Sequence, residues 1–318
     1  MNILILILFF AVSIYLLIKS SDRFVDSATV IADKFGVSHF IIGLTVVSIG
    51  TSLPELGAAV AASLVNNSDI VLGDIVGSNI ANTAFVLGVG VLMTAIKIKK
   101  SHFKVDGPLL LLITLIFLVM GLDGIYTLID GILLMLLFVF YILFLVQRDD
   151  LVTEAADDIK IESKKINTFV ESLIILLSVG VLFASAKLLV YSGENIASFF
   201  GISDAVIGLV GIAIGTSLPE LAVTISSAKK GNAQLLLGNV IGSNISNILL
   251  IGGVSALIAP IIVSASMIFM IFPILAIVTV LLIVFMRLKS EFRTMEGVSL
   301  LLIYMLFLIV SVYAGVSH

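Results

Sequence analysis

The sequence predicts an all-α membrane protein of ten transmembrane helices, built as two inverted five-helix repeats whose helices break where polar residues enter the apolar core. Three observations predict it. The 318 residues are 60% hydrophobic and only 12% charged, with a mean hydropathy of +1.27, far from the composition of a soluble domain. Basic residues occupy every second loop. Two long segments of the chain repeat each other at a fixed spacing.

The apolar material lies in runs such as Asn2 to Ile18 and Leu109 to Leu122, each long enough for a membrane helix. Ten such stretches fall near 2–20, 38–65, 70–96, 107–122, 125–147, 166–190, 203–228, 233–257, 262–286 and 296–315. The first lacks a basic leader and is followed by Lys19 and Arg23, so it reads as a retained anchor, not a cleaved signal. One polar stretch, Gln147 to Lys165, carries Asp149, Asp150, Glu154, Asp157, Asp158 and Glu162 among lysines. It divides the chain into a first repeat at 1–147, a linker at 148–165 and a second repeat at 166–318. It reads as a solvated connection; a calcium sensor is the alternative, but the stretch has no oxygen-ligand loop pattern.

Basic clusters fall at Arg23 and Lys34, at Lys97 to Lys104, at Arg148 to Lys165, at Lys229 and Lys230, and at Arg287 to Arg293. The intervening loops carry no Lys or Arg, except for one with Lys187 alone. By the positive-inside rule both termini lie outside and the linker lies in the cytoplasm of a multi-pass cell-membrane protein. A formal charge of −4 with no long basic tail excludes nucleic acid as a partner. The absence of cysteine excludes disulfides and thiolate metal centres. No cofactor and no protein partner is expected, only the lipid bilayer and whatever small ions the site takes.

IGLTVVSIGTSLPEL from Ile42 recurs as IGLVGIAIGTSLPEL from Ile207, and GDIVGSNIAN from Gly73 recurs as GNVIGSNISN from Gly238. The spacing is constant at 165 residues, Glu55 to Glu220 and Asn82 to Asn247 alike. Five crossings per copy force the second copy to enter from the opposite side, the inverted architecture typical of alternating-access transporters.

Each GTSLPE places a helix-breaking proline, Pro54 or Pro219, directly before a carboxylate, Glu55 or Glu220. Proline supplies no N–H and frees the carbonyl four residues earlier, so backbone oxygens around Gly50, Thr51, Gly215 and Thr216 become available. Intramembrane carboxylates face the bundle interior and a cation or proton. No basic residue lies in a core span near either glutamate. Ser78 with Asn82, and Ser243 with Asn247, are four apart and share a helix face. Carboxylates, carbonyls, hydroxyls and amides, without imidazole or thiol, suit a hard cation such as calcium or sodium. Competition of the two ions for shared ligands is a sufficient basis for antiport. The glycines in these motifs read as close helix contacts. Asp74, whose counterpart is Asn239, reads either as a charge lining the cavity or as a helix cap, the cap being preferred.

The paired GTSLPE and GSNIxN motifs resemble the alpha repeats of the cation/calcium exchanger superfamily, closest to its prokaryotic sodium/calcium exchangers, over the whole chain. The resemblance implies a calcium site of Glu55 and Glu220 with backbone oxygens of Thr51 and Thr216. It implies one sodium site from Ser48, Ser52 and Ser78, another from Ser217, Ser243 and the Ala213 carbonyl, and a middle position at Asn82 and Asn247. It also implies that the first and sixth spans slide together as a gate. Relatives of this type carry Asp where this chain has Asn247, which leaves sodium or proton as the counter-ion. The sequence-based expectation is therefore a secondary antiporter exchanging calcium for sodium. A proton/calcium exchanger and, in a different class, a cation channel are the alternatives. No GxSG or GxGD motif of an intramembrane protease occurs, so the chain is not expected to be an enzyme.

Overall fold

A computed structural model describes residues 3–148, 167–199 and 215–316. Its helices are α1 (Ile3–Phe35), α2 (His39–Thr51), α3 (Leu53–Leu64), α4 (Ser68–Met93), α5 (His102–Asp123), α6 (Leu128–Val146), α7 (Thr168–Phe199), α8 (Leu218–Lys229), α9 (Ala233–Ile258), α10 (Met267–Leu288) and α11 (Thr294–Val316). Among the described residues eight helices are long and apolar enough to cross a membrane, and a ninth span results if α2 and α3, bent by 43° at their junction, count as one. The expected span near 203–228 is described only from Gly215 onward, and most of the 148–165 linker lies outside the described residues.

Two boundaries differ from expectation. The first span was placed at 2–20, yet α1 continues for 33 residues, and α7 runs for 32 where 166–190 was expected. At 1.5 Å per residue each is about 50 Å long, well beyond the hydrocarbon thickness. Nothing between Lys19 and Phe35 breaks a helix: the chain turns only at Gly36, which has a left-handed φ of 66°. Past the apolar run, α1 buries Ser20, Ser21, Ser27, Ala28 and Ala32, a small-residue face on which a neighbour can pack closely.

The fold is also not purely helical. Ile96–Lys97 (β1) pairs antiparallel with Glu291–Phe292 (β4), and Ile125–Tyr126 (β2) with Ile261–Ile262 (β3). These ladders tie loop ends whose backbone groups need partners. The two ladders lie at opposite ends of the bundle and are images of each other under the 165-residue spacing of the motifs: Ile96 of one corresponds to Ile261 of the other, and Glu291 to Tyr126. Asn67 caps α4 by accepting from the Ile70 N–H at 3.2 Å, and Asn232 caps α9 by accepting from Leu235 N–H at the same distance.

The basic loops gather at the β1–β4 end. A cavity of about 880 Å³ there is lined by Asp26, Asp33, His39, Lys97, Lys230 and Glu291 among others. Lys230 binds Asp26 at 2.6 Å, and His39 binds Asp33 at 2.8 Å. The other end carries the acidic Asp123 and Asp130, the latter closing a capping box with Thr127 at the start of α6.

Helices α4 and α9 form the centre, each 78% buried over its apolar window, whereas α1 and α7 are only 22% buried and lie to one side. The apolar interior divides accordingly. A large cluster joins α3 to α6 with α9 to α11, through residues such as Leu72, Ile80, Phe117, Leu237, Ile245 and Leu282. A smaller one packs α1 on α7, and both on α2 and α8, through Leu17, Phe24, Val47, Val179, Leu182 and Val223.

A buried polar site between α2, α3, α4, α8 and α9

The proline breaks act as the sequence implies. The ladder leaves α2 with Ser52 N–H donating to Ser48 O and resumes with Leu56 N–H donating to Ser52 O, both at 3.0 Å. Ser52 takes φ −86°, ψ 3°, and Ser217 takes φ −86°, ψ 6°, so both copies break alike. Pro54 and Pro219 are the second residues of α3 and α8, positions where the missing N–H costs no helical bond. Glu55 and Glu220 therefore sit in the first turn of a helix, where unbonded N–H groups favour negative charge.

Both glutamates are fully buried. Their carboxylates adjoin one another, with Asp74 close enough for its charge to bear on Glu55. Glu220 Oε1 accepts from Ser52 Oγ at 3.2 Å, but its Oε2 and both oxygens of Glu55 have no protein partner. The Ser217 hydroxyl, which by repeat symmetry would serve Glu55, is also unpartnered. Leaving a carboxylate this dry and unpaired costs several kcal/mol, and a cation between the two glutamates removes that cost.

Around the pair the two repeats interleave. The hydroxyls of Ser78 and Thr216 share a hydrogen bond at 3.2 Å, and those of Thr51 and Ser243 face each other at 3.5 Å. Each contact is the repeat image of the other. Thr51 Oγ1 also donates to Asn239 Oδ1 at 3.3 Å, an interaction the motifs did not single out. Asn82 and Asn247 are fully buried and neither amide has a hydrogen-bond partner. Each opens or enters a π-helical turn, Ala81–Val86 and Asn247–Ile251. A further such turn, Gly43–Val47, lies in α2. These bulges, frequent at functional sites, leave no pattern in the sequence. No hydrogen bond connects Asn82 or Asn247 to the glutamates.

Ser48 is buried against α9, and its hydroxyl donates to Leu44 O at 2.7 Å, the back-bonding typical of membrane helices, so only its lone pairs are free to meet an ion. Ala213 lies outside the described residues. Asp74 is not a cap: it lies in the interior of the α-helical segment Ser68–Ile80, whose cap is Asn67, and it is 4% exposed.

The family model of sodium/calcium exchanger proteins matches residues 5–147 and again 171–313. The sodium/calcium exchanger MaX1 of Methanosarcina acetivorans is 35% identical over an alignment of 353 residues that spans 98% of this chain and 99% of that protein. The inner membrane protein YrbG of Escherichia coli is 36% identical over 258 residues, 78% of each chain. Among solved structures, the sodium-calcium exchanger NCX_Mj, soaked with 2.5 mM Na+ and 1 mM Sr2+, superposes with a TM-score of 0.83 at 32% identity, covering 97% of this chain and 99% of that one.

Proposed function

Since the chain belongs to the sodium/calcium exchanger protein family, we propose that it carries calcium across the membrane against sodium by alternating access, with Glu55 and Glu220 as the calcium-holding pair. It is a multi-pass membrane transporter and not an enzyme. The observation that carries the site assignment is the fully buried glutamate pair, adjoining, without a basic partner, and ringed by oxygen donors. Two carboxylates neutralise one calcium ion, and hydroxyls and freed carbonyls complete the six to eight oxygens that calcium takes. We assign Thr51 and Thr216 to that shell, and Ser48, Ser52, Ser78, Ser217, Ser243 and the Ala213 carbonyl to flanking sodium positions. Asn82 and Asn247 contribute neutral amide oxygens in the middle.

The reading of two inverted five-helix repeats, 1–147 and 166–318 around a linker at 148–165, draws support from the double family match and from the image-related contacts of Thr51 with Ser243 and Ser78 with Thr216. The gathering of basic loops at one end supports a cytoplasmic β1–β4 face with both termini outside. The extensive packing of α1 on α7 suits a pair that slides as a unit over the fixed bundle. In the described conformation α2 is packed backbone to backbone on α9: a Cβ at Gly238 would lie 2.2 Å from the Phe40 carbonyl oxygen, and one at Gly242 2.5 Å from that of Leu44. That contact joins α2 of one repeat to α9 of the other beside Ser48.

The test is radioactive calcium uptake into proteoliposomes loaded with sodium, in parallel with vesicles holding only a pH gradient. Outward sodium should drive uptake and the pH gradient should not. Uptake driven by the pH gradient alone would make the coupling ion a proton, the reading that the neutral Asn247 favours.

A further inference from the structure

We propose that Asp74 supplies the negative charge of the flanking cation position at Ser78, where the hydroxyls of Ser78 and Thr216 meet, and so selects one sodium-sized monovalent cation beside the glutamate pair; this deepens the exchanger reading above and rests on it. Asp74 is 4% exposed, and neither carboxylate oxygen has a hydrogen-bond partner. It faces Thr216 and Ser78, whose hydroxyls bond to each other at 3.2 Å and keep lone pairs for an ion.

The second repeat supplies an internal control. The image of Asp74 is Asn239, which faces Thr51 and Ser243 as Asp74 faces Thr216 and Ser78. There a neutral amide accepts from Thr51 Oγ1 at 3.3 Å, and the niche carries no charge. The same niche built on Asp74 is ionisable, and among the described residues no basic side chain pairs with it. A buried carboxylate is retained at such depth when a cation accompanies it.

The charge is not simply a third ligand of the calcium pair. Among the described residues no three acidic, histidine or cysteine side chains converge closely enough to hold one metal ion, so Asp74 is offset from Glu55 and Glu220 while its field still reaches Glu55. One carboxylate and two hydroxyls balance a single positive charge; a calcium ion there would keep half of its charge uncompensated. Oxygen donors alone select a hard ion. The arrangement also couples the ions. With the niche empty, the Asp74 charge strengthens the pull of the Glu55 region on calcium, and a sodium ion in the niche cancels that pull and favours calcium release.

The experiment compares wild type, Asp74→Asn, and Asp74→Asn combined with Asn239→Asp, each as the full chain in proteoliposomes. Asp74→Asn should raise the sodium concentration for half-maximal calcium exchange about tenfold, and raise the calcium half-saturation of calcium–calcium exchange, which needs no sodium, by no more than about threefold. Moving the carboxylate to the image niche in the double variant should restore most of the sodium affinity. An unchanged sodium dependence in Asp74→Asn overturns the proposal, as does an equal rise in both half-saturations, which would make Asp74 part of the calcium site. If wild type shows no sodium-driven uptake, the exchanger reading fails on its own, and equilibrium binding of radioactive sodium to the purified proteins still decides: loss in Asp74→Asn supports the niche, and equal binding overturns it.

Discussion

Gly242→Ala should loosen α2 from α9 beside the site. The methyl group would lie 2.5 Å from Leu44 O, 2.6 Å from Ser48 Oγ and 2.7 Å from Leu44 Cα. Two of those three atoms are backbone, so side-chain rotation does not relieve the clash, and α2 must withdraw from α9 by about 1 Å to restore van der Waals contact. Overpacking of this kind costs about 1 to 3 kcal/mol. The cost falls on the conformation in which α2 packs against α9. If that contact is released when the site opens, the equilibrium shifts by roughly 5- to 150-fold. The chain has no cysteine, so Leu44→Cys, at a position 1% exposed, is a reporter without background. Labelling by a membrane-impermeant thiol reagent from the β1–β4 side should accelerate by that factor on adding Gly242→Ala, while calcium exchange slows. Gly57→Ala is the control: Gly57 is exposed, a Cβ there meets nothing within 4 Å, and labelling should stay at the parent rate. Labelling and exchange in Gly242→Ala equal to those of the parent would refute the idea that this close approach holds α2 in place beside the site.

Glu55→Gln and Glu220→Gln should each lower calcium uptake by about a hundredfold or more, because ligand charge count sets the affinity of a hard-cation site; retained flux in both variants, with the protein monodisperse, would sink the site assignment. Asn247→Asp adds a titratable group at the middle of the site and should make exchange more pH-sensitive; identical pH profiles of the two proteins would count against Asn247 facing the ions. Lys230→Met removes the bonds that hold the loop after α8 to α1, at Asp26 Oδ1 (2.6 Å) and at the Asp22 carbonyl (2.5 Å). Since Asp26 is 59% exposed, thermal stability should move by less than about 1 kcal/mol, whereas turnover should rise severalfold if α1 slides past α8 in each cycle. Unchanged turnover would argue that α1 and α8 stay together.

What the sequence made legible was whatever two copies of a pattern could mark. The 165-residue spacing located Glu55, Glu220 and the hydroxyl residues around them, and the prolines located the breaks, because Pro54 and Pro219 act through covalent geometry that tertiary context does not alter. The ends of α1 and α7 were not legible, since hydropathy falls where the apolar run stops while the helix continues over Ser20, Ser21 and Ser27 until Gly36 turns it. The π turns that carry Asn82 and Asn247 were hidden for a different reason: an i to i+5 bond depends on neighbouring helices and has no residue signature.

Asp74 shows where pattern reading misleads. Taken alone, an aspartate suits a helix cap, and its repeat partner Asn239 is an equally common capping residue. Position in the helix decides otherwise, because the caps are Asn67 and Asn232, again one repeat apart. Repeat symmetry then becomes informative through its failure. Where both copies agree, as at Thr51 with Ser243 and Thr216 with Ser78, the two halves build the same contact. Where they differ, as at Asp74 against Asn239 or at the Ser52 to Glu220 bond that lacks its mirror image at Glu55, the two halves of the site are chemically unequal. The direction of exchange follows the ion gradients, while a carboxylate at one position and an amide at its image let the two halves bind cations unequally within one fold.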